Sequence, residues 1–428
     1  MNRNYYINII LILLIPVAAC NLDPLTEYRA SSFDKLYALS ENVEAVDFIC
    51  KPDASGYIIV GNSKTSDNSN SDIIIINVGS DGMQQNLHRI NTPFYDEAVS
   101  MKLYQEDNSV FIMGQRRIDT SEQVIRQNVI LKSNLEGIPI KAESNNPDDS
   151  ISADFKILTT GEIPSIELTD FLIKNQNLIT IGNILQEGTN NRRKITQIYN
   201  FNSVNFNNKN DTIFELVREK SGSTVNNKNL NIKILEGSNP SSVYEIIGHS
   251  ASENPNTETN NESLNISWEI FTDLESNASE KIFIGEDKDE VFGAILYHSN
   301  GKNYIAGNYL ETDTIFLIAK EYNGSNNNKD QKIFPLINYG NKVTSLTEDD
   351  NGNIIMSTID ETDINSSSHI LKFSQAGTPI NDQDFEFLST GFYDIQKIES
   401  EPENILVVLS QKTFENNSTA IGLMKIKF

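Results

Sequence analysis

The residue types that most often carry metal or redox chemistry are few in this chain and stand far apart. It has four histidines and two cysteines in 428 residues. The histidines belong to separate segments, without the spacing of metal ligands, at His88, His249, His298 and His369. Because zinc and related ions need clustered His, Cys or carboxylate ligands, the sequence predicts no metal site.

Motifs for catalysis or cofactor binding are not found either. The sequence has no Gly-x-Ser-x-Gly nucleophile elbow and no glycine-rich phosphate loop. Its 59 acidic residues leave room for a glycosidase-type pair of carboxylates, but no spacing singles out one pair. We therefore predict no catalytic residue and no cofactor, and we keep an enzyme as the alternative.

A recurring combination of aromatic and acidic residues is better suited to binding. Phe94-Tyr95-Asp96 and Phe392-Tyr393-Asp394 stand just before similar apolar segments, and Tyr339 stands near an equivalent place. Aromatic rings with a polar handle serve recognition well. The alternative is that the aromatic rings pack inside the fold while the aspartates cap turns.

Two arginine pairs add to this candidate surface. Arg116-Arg117 and Arg192-Arg193 follow apolar segments, and we expect both pairs in loops, where they would bind carboxylate or phosphate groups. Solvated loop charge is the alternative. The candidate binding residues are Tyr95, Asp96, Arg116, Arg117, Arg192, Arg193, Tyr339, Tyr393 and Asp394.

The N-terminal segment predicts export. Residues 1–19 have Arg3 near the start and an apolar run at residues 7–17, which is typical of a signal peptide and too short to span a membrane. Val17-Ala18-Ala19-Cys20 resembles the lipobox of bacterial lipoproteins. That resemblance implies a lipid on Cys20 that anchors the chain in the cell envelope of a Gram-negative bacterium, at the outer membrane. An ordinary secretory signal is the alternative.

The charge balance excludes some partners. The chain has 34 Lys and Arg against 59 Asp and Glu, a net charge of -25. Nucleic-acid binding needs a basic surface, so we predict no nucleic-acid partner. Adsorption to anionic lipid headgroups is disfavoured for the same reason.

A repeat positions the candidate residues. Its first half is a short apolar strand that ends in a small residue, as in Gly56-Tyr57-Ile58-Ile59-Val60-Gly61, and its second half is an apolar strand such as residues 72–78 before an Asp81-Gly82 turn. Seven copies end their first halves at residues 61, 114, 182, 248, 307, 357 and 410, so they are 50 to 68 residues apart. This period with β-branched runs predicts the four-stranded blades of a β-propeller.

The two ends of the sequence predict how the propeller closes. Residues 33–39 have a strand pattern outside any complete repeat, and the last repeat stops at Phe428 without a fourth strand. The N-terminal strand would complete the last blade and remove an exposed sheet edge. We predict an all-β fold with one propeller of seven four-stranded blades at residues 32–428, after a signal peptide at 1–19 and a lipidated Cys20 with its tether at 20–31.

The repeat resembles the bacterial propeller-repeat lipoproteins, whose blades read Gly-Gly-Tyr-(apolar)-Gly, then Asp-(apolar strand), then Asp-Gly. The resemblance covers about residues 45–428 and implies envelope location and partner binding, with no catalytic residues to transfer. The leading hypothesis is a lipid-anchored, non-enzymatic propeller that binds a protein or glycan. The alternative is an exported hydrolase or lyase that acts on polysaccharide. On a propeller, all candidate binding residues fall on one rim.

Overall fold

The computed structural model of the protein describes most of the chain, and every element in that part is a β-strand. The described residues are 32–37, 42–65, 70–92, 94–119, 124–140, 156–157, 167–174, 177–185, 191–200, 215–226, 233–236, 244–251, 264–273, 280–284, 290–309, 312, 314–321, 332–337, 339–360, 368–380, 385–386, 392–414 and 418–427.

These residues form seven antiparallel sheets of four strands each, numbered here by the chain order of their first strands. The first strands are β2 (Asn42–Cys50), β6 (Tyr95–Tyr104), β10 (Glu167–Lys174), β14 (Lys233–Glu236), β18 (Glu290–Tyr297), β22 (Lys342–Glu348) and β26 (Phe392–Glu401). The second strands are β3 (Gly56–Lys64), β7 (Ser109–Asp119), β11 (Asn177–Leu185), β15 (Tyr244–Ala251), β19 (Lys302–Tyr309), β23 (Ile354–Ile359) and β27 (Ile405–Thr413). The third strands are β4 (Ser71–Gly79), β8 (Val124–Ser133), β12 (Asn191–Asn200), β16 (Leu264–Phe271), β20 (Thr314–Glu321), β24 (Ser368–Phe373) and β28 (Thr419–Lys427). The fourth strands are β5 (Gln84–Ile90), β9 (Lys156–Ile157), β13 (Glu215–Asn226), β17 (Glu280–Ile284), β21 (Lys332–Ile337), β25 (Phe385–Glu386) and, for sheet 7, β1 (Phe33–Tyr37).

The middle strands of each sheet are apolar because both of their faces are covered. In sheet 1, β3 and β4 are buried along almost their whole length, whereas β5 is exposed over its first half. Strands covered on both faces tend to have continuous apolar sequences, as residues 58–60 and 73–76 do. The apolar runs of the repeat are therefore the second and third strands, as the sequence predicted.

Apolar clusters between neighbouring sheets form the core. In one of them, Ile49 and Ile73 of sheet 1 pack with Met101 of sheet 2. Among the described residues, clusters of this kind join each sheet to the next one along the chain. A further cluster places Val407 of sheet 7 with Val43 of sheet 1. Burial of apolar surface, the main driving force of folding, thus occurs between sheets, including between the last and the first.

The glycines that end the first half of the repeat are required by close contact between backbones. A Cβ atom at Gly61 would lie 2.6 Å from the carbonyl oxygen of Glu44, and one at Gly114 would lie 2.7 Å from that of Glu97. The first strand shifts register beside this glycine, as in a β-bulge, and the same shift recurs in β2, β6, β10, β18, β22 and β26. A bulge bends its strand, and glycine permits the close approach of a neighbouring backbone.

Strand β1 is the outer strand of sheet 7. It pairs with β28 from Phe33, opposite Lys425, to Tyr37, opposite Ile421. The Tyr37 hydroxyl also donates a hydrogen bond to the carbonyl oxygen of Gly82 in sheet 1, at 3.0 Å. The N-terminal strand therefore pairs with the last repeat and touches the first.

Several sequence predictions fall outside the described residues. They are the signal peptide at residues 1–19, the lipid on Cys20, the tether at 20–31 and the last two residues of the predicted strand at 33–39. Within the described ranges, no helix has the length and apolar character needed to cross a membrane.

Candidate functional site

The sheets have two opposite rims with different connections. The turns from first to second strands and from third to fourth strands lie at one end, which we call the turn rim; it includes residues 51–55, 80–83 and 105–108. In sheet 1 the two turns touch, because Ser80 donates its backbone N–H to the carbonyl of Ser55 at 3.0 Å. The opposite end, which we call the loop rim, includes the strand ends where Tyr95 pairs with Arg117.

Asp96 and Arg116 form a buried ion pair near the loop rim of sheet 2. Arg116 Nε donates to Asp96 Oδ1 at 2.9 Å, and the two side chains are 5% and 1% exposed respectively. The guanidinium lies over the ring of Phe94, 4.5 Å from its centre, and the hydroxyl of Thr92 donates to the second oxygen of Asp96. This arrangement is closer to the alternative, in which the aromatic ring packs inside the fold and the aspartate has a structural role, than to a binding site. Asp96 and Arg116 stabilise the start of sheet 2 and offer little surface to a partner.

The arginine pairs lie in strands, and the prediction that they occupy loops was wrong. Arg116 and Arg117 belong to β7, and Arg192 and Arg193 belong to β12. The prediction ended each strand where its apolar residues end. Pairing continues beyond that point because backbone hydrogen bonds do not depend on apolar side chains, and β7 stays paired with both β6 and β8.

The aromatic and acidic motifs also begin strands instead of preceding them. Tyr95 and Asp96 are the first residues of β6, opposite Arg117 and Arg116, and Tyr393 and Asp394 belong to β26. These residues are held by sheet pairing at the strand ends opposite the turn rim.

Tyr95 and Arg117 are the accessible part of the candidate set in sheet 2. Arg117 is exposed, and its Cζ lies 5.6 Å from the centre of the half-buried Tyr95 ring. The Tyr95 hydroxyl donates to Glu97 at 2.9 Å, and Lys64 of sheet 1 bridges Glu97 to Glu44 at 3.2 and 2.7 Å. Burial and the charge of Glu97 raise the pKa of Tyr95. The result is a neutral phenol beside a cation at the border between sheets 1 and 2.

The other candidate residues lie at loop-rim ends of other sheets. Tyr339 precedes β22 and is half-buried, with its ring centre 6.0 Å from that of His369 in an edge-on contact. Arg192 pairs with Leu185 at the far end of β11, and Tyr393 pairs with Lys412 at the far end of β27. The side chains of Arg192, Arg193, Tyr393 and Asp394 are outside what the structure describes.

A second set of polar residues, which sequence reasoning did not single out, joins the first strands of neighbouring sheets. Lys397 of sheet 7 donates from Nζ to Asp47 Oδ1 and to the carbonyl oxygen of Phe48 in sheet 1, both at 2.8 Å. Asp47 Oδ2 accepts the backbone N–H of Met101 in sheet 2 at 3.0 Å. One carboxylate thus connects three sheets.

Asp170 has the same role in sheet 3. Its buried carboxylate accepts a hydrogen bond from the Ser100 hydroxyl of sheet 2 at 2.8 Å and from the backbone N–H of Ile234 in sheet 4 at 3.2 Å. Lys102 of sheet 2 adds an ion pair at 3.0 Å. Asp170 therefore also connects three sheets.

The sequence does contain a signal for these connecting residues. Asp47, Ser100, Asp170 and Lys397 each follow the register shift in their strand. In the sequence, each is the fourth residue of a short pattern that starts with a charged residue and then an apolar one. Three copies are Glu44-Ala45-Val46-Asp47, Glu97-Ala98-Val99-Ser100 and Glu167-Leu168-Thr169-Asp170. A bulge redirects the side chains that follow it, which explains why this position faces the neighbouring sheet.

The lysines keep both aspartates ionised. Burial alone would raise the pKa of Asp47, but Lys397 and Lys102 hold it below its usual value. The pKa of Asp170 is also lowered, because Lys102 and Lys233 outweigh the effect of burial. A carboxyl that acts as a general acid near neutral pH needs a raised pKa. Neither aspartate is therefore suited to donate a proton.

A buried carboxylate also joins sheets 4 and 5. Glu245 is fully buried and accepts hydrogen bonds from Trp268 Nε1 at 2.9 Å and from the Tyr297 hydroxyl at 2.6 Å. In the part of the chain that the structure describes, no three His, Cys, Asp or Glu residues come close enough together to hold a metal ion.

Comparison with solved structures finds β-propeller neighbours. The chain is similar to the β-propeller domain of the Trilobed protease from Pyrococcus furiosus, described as having an open velcro topology, with a TM-score of 0.47, 8% identity, and coverage of 91% of this chain and 96% of that chain. It is similar to polysaccharide lyase Uly1, with a TM-score of 0.46, 9% identity and 91% coverage of both chains. It is also similar to Pyrococcus horikoshii acylaminoacyl peptidase, with a TM-score of 0.47 and 8% identity over 89% of this chain, which spans about half (51%) of that chain.

Sequence comparisons add no assignment. No protein-family model matches the chain. No curated protein matches it by sequence.

Proposed function

We propose that this protein is a lipid-anchored β-propeller of the cell envelope that binds a protein or glycan partner without catalysing a reaction. In this proposal residues 1–19 are a signal peptide, Cys20 carries lipid, residues 20–31 are a tether, and residues 32–428 form seven blades closed by β1. The location is the outer membrane of a Gram-negative bacterium.

The contacts between sheets support the seven-bladed, closed arrangement. Apolar clusters join successive sheets, and one cluster joins sheet 7 to sheet 1. Lys397 and Asp47 add a polar contact at the same junction. If β1 closes the ring, deletion of residues 28–42 exposes an unpaired edge and lowers the melting temperature substantially. An unchanged melting curve would contradict closure.

The observation that carries the non-enzymatic proposal is the engagement of the charged residues on the first strands. Asp47, Asp170 and Lys397 connect neighbouring sheets, and the lysines hold both carboxyl pKa values low. An enzyme needs acid and base groups that converge on a substrate, whereas these groups converge on one another. They build a rigid scaffold, and binding residues concentrate on the loops and edges of such scaffolds.

The loop rim is the proposed contact surface. Among the candidate residues whose side chains the structure describes, three are accessible on this rim: the exposed Arg117 and the half-buried Tyr95 and Tyr339. Arginine and tyrosine are frequent among the residues that dominate interface energies. Arg192, Arg193, Tyr393 and Asp394 stay in the proposal through their strand positions, while Asp96 and Arg116 support the surface from beneath.

The binding experiment is a pull-down from detergent-solubilised cell envelope, followed by affinity measurements with the captured partner. We expect Tyr95→Ala and Arg117→Ala to weaken binding by about 10-fold or more each. Glu136→Ala is the matched control, because Glu136 is exposed on the turn rim. Each variant is first checked for an unchanged melting temperature. If both loop-rim variants bind like wild type while Glu136→Ala abolishes binding, the proposed face is wrong.

Two further measurements separate anchoring and catalysis from binding. The wild-type chain should take up radioactive palmitate and Cys20→Ser should not; label and membrane association that persist in Cys20→Ser would rule out the anchor. The enzymatic alternative predicts that the purified protein releases new chain ends from a polysaccharide. Such release by the purified wild-type protein would replace the non-enzymatic proposal.

A further inference from the structure

The described chain begins on the turn rim, next to sheet 1. A Cβ atom at Gly82 would lie 2.5 Å from the ring of Phe33, so the first residue of β1 abuts the turn at residues 80–83. Phe33 pairs with Lys425 in β28, and the neighbouring Lys427 pairs with Ile405, just after the turn between β26 and β27. Any tether that precedes Phe33 therefore arrives at this rim.

Large apolar side chains are exposed on the sheets to both sides of this entry point. Among the described residues they are Leu36, Met83, Ile138 and Ile380, with exposed fractions of 37%, 57%, 43% and 36%. Leu36 belongs to sheet 7, Met83 to sheet 1, Ile138 to sheet 2 and Ile380 to sheet 6. These four sheets are consecutive in the order 6, 7, 1, 2, because each contacts the next. Leu36 lies opposite Gly422 in the middle of β28, away from the turn rim. We call the other three side chains, Met83, Ile138 and Ile380, the apolar arc.

The members of the apolar arc follow third strands, at two kinds of position. Met83 and Ile138 are equivalent, because their carbonyl oxygens accept the backbone N–H of Gly79 and Asn134, whereas Ile380 is the equivalent of Ile140. Met83 lies at the turn from β4 to β5, and Ile138 and Ile380 lie in the chain that follows β8 and β24. Ile140 and Ile380 each donate a backbone hydrogen bond to a third-strand lysine, Lys132 and Lys372. Lys132 forms an ion pair with Asp107 at 2.6 Å, and Lys372 forms one with Asp349 at 2.9 Å; both aspartates lie on the turn rim. The arc is thus fixed on the turn rim, on sheets to both sides of the start of β1.

We propose that the apolar arc rests on the lipid surface to which the tether leads, so that the turn rim faces the bilayer and the loop rim faces away. This inference rests on the proposed lipid at Cys20. The 13 Cα-to-Cα steps from Cys20 to Phe33 span at most about 45 Å when the chain is fully extended. The tether therefore keeps the arc close to the membrane and at high effective concentration.

The chemistry of the arc points to the apolar boundary of the bilayer as its occupant. A net charge of -25 opposes adsorption to anionic headgroups. Contact made by Met and Ile side chains depends on buried apolar area, not on charge. Docking is consequently expected on neutral phosphatidylcholine vesicles and at high salt.

The test measures which rim lies near lipid. The full, lipidated chain is reconstituted in phosphatidylcholine vesicles that contain nitroxide-labelled lipid, in a Cys50→Ala background. A fluorophore is attached through Met83→Cys, Ile138→Cys or Ile380→Cys, and through Arg117→Cys on the loop rim as the control. We expect at least twofold stronger quenching at the three arc positions than at the control. Equal quenching at all positions, or stronger quenching at residue 117, overturns the proposal.

A companion variant tests whether the side chains themselves cause docking. With the fluorophore at residue 380, Met83→Ser and Ile138→Ser together should reduce quenching at least twofold, because both positions are exposed and their substitution leaves the fold intact. Unchanged quenching overturns the role of the arc. Self-association of the wild-type chain that these two substitutions abolish would also overturn it, since the arc would then bind a second copy.

Failure of docking and failure of the lipid anchor are distinguishable. Flotation with vesicles of the form that carries Met83→Ser and Ile138→Ser reports the anchor without the arc. A second form carries Cys20→Ser and a histidine tag ahead of residue 21, bound to vesicles with a nickel-chelating lipid. If the native form does not float but the tagged form shows the quenching pattern, docking stands without the anchor. If the native form floats without the pattern, docking alone is wrong.

Discussion

Lys397 Nζ and Asp47 Oδ1 lie 2.8 Å apart, although 350 positions separate them in the chain. The pair joins the first strand of the last sheet to that of the first. Beside it, Val43 donates its backbone N–H to the Thr419 hydroxyl at 2.9 Å. Polar bonds and the apolar cluster that includes Val407 therefore act together at this junction.

Substitution of Lys397 should weaken the junction. Lys397→Met leaves the largely buried carboxylate of Asp47, whose side chain is 14% exposed, without its nearest cation. Loss of one partner of a buried pair costs about 3–5 kcal/mol, and an exposed pair contributes about 0–1 kcal/mol. Since Lys397 is 29% exposed, we expect a loss of about 2 kcal/mol in the free energy of unfolding. Urea denaturation measures it.

Lys35→Met is the matched control for Lys397→Met. Lys35 is exposed on β1, so the same chemical change there should alter stability by less than about 0.5 kcal/mol. Equal effects of the two substitutions would show that the Lys397–Asp47 pair does not stabilise the junction.

Acid should destabilise the protein through Asp47 and Asp170. Their folded pKa values lie below the usual value, since the lysines outweigh burial. A carboxyl with a lowered folded pKa contributes stability above its unfolded pKa of about 3.9, and that stability is lost as the pH falls through the folded pKa. Stability should therefore be level near neutral pH and fall below about pH 4.

The measurement is the urea midpoint as a function of pH, for wild type and Asp170→Asn. The variant starts less stable, but it lacks one of the carboxyls that must be protonated, so its stability should fall less steeply in acid. Parallel curves for the two proteins would mean that Asp170 does not titrate with a lowered pKa.

Apolar patterning predicted the strands but not where they end. The runs at residues 58–60 and 73–76 identify buried middle strands because a strand covered on both faces needs continuous apolar side chains. Strand β7 continues through Arg116 and Arg117, because backbone pairing and the ion pair with Asp96 stabilise it there. That partner lies 20 residues away in sequence, which a local pattern does not reveal.

The polar contacts between sheets were harder to predict for a related reason. Asp47 and Asp170 reach their neighbours only because a bulge precedes each of them. A single register shift changes the face on which every later side chain lies. Simple alternation therefore assigns the wrong face to these positions, whereas comparison of the repeated four-residue pattern would have identified them.

The glycine of the repeat gives another testable relationship. In Gly61→Ala, the new Cβ would lie 2.6 Å from the Glu44 carbonyl oxygen and 2.7 Å from Ile421 Cδ1. Backbone cannot move aside as a side-chain end can, and overpacking of this kind costs about 1–3 kcal/mol. We expect a loss in that range, measured by thermal and urea unfolding.

Gly79→Ala is the control for Gly61→Ala. There the new Cβ would meet only side-chain ends, Asp81 Oδ1 at 2.8 Å and Gln85 Nε2 at 2.9 Å. Gln85 is exposed and its end can rotate away, whereas Asp81 Oδ1 also accepts the backbone N–H of Met83 at 2.9 Å. Because at most this one exposed hydrogen bond is disturbed, stability should change by about 1 kcal/mol or less. If Gly79→Ala costs as much as Gly61→Ala, the close approach of the bulged strand is not the reason for the glycine.

Arg116 and Arg117 are adjacent, yet the same substitution should destabilise the protein at Arg116 and have little effect at Arg117. Arg116→Met leaves Asp96 buried without its cation and should cost about 3–5 kcal/mol of unfolding free energy. Arg117→Met removes an exposed side chain, 5.6 Å from the Tyr95 ring centre, and should change stability by less than about 0.5 kcal/mol. Unfolding of both variants measures this, and Asp96→Asn in combination with Arg116→Met should recover part of the loss, because no buried charge then remains. If Arg117→Met is the more destabilising change, the structural role belongs to Arg117, and Arg116 is the side chain to test for partner binding.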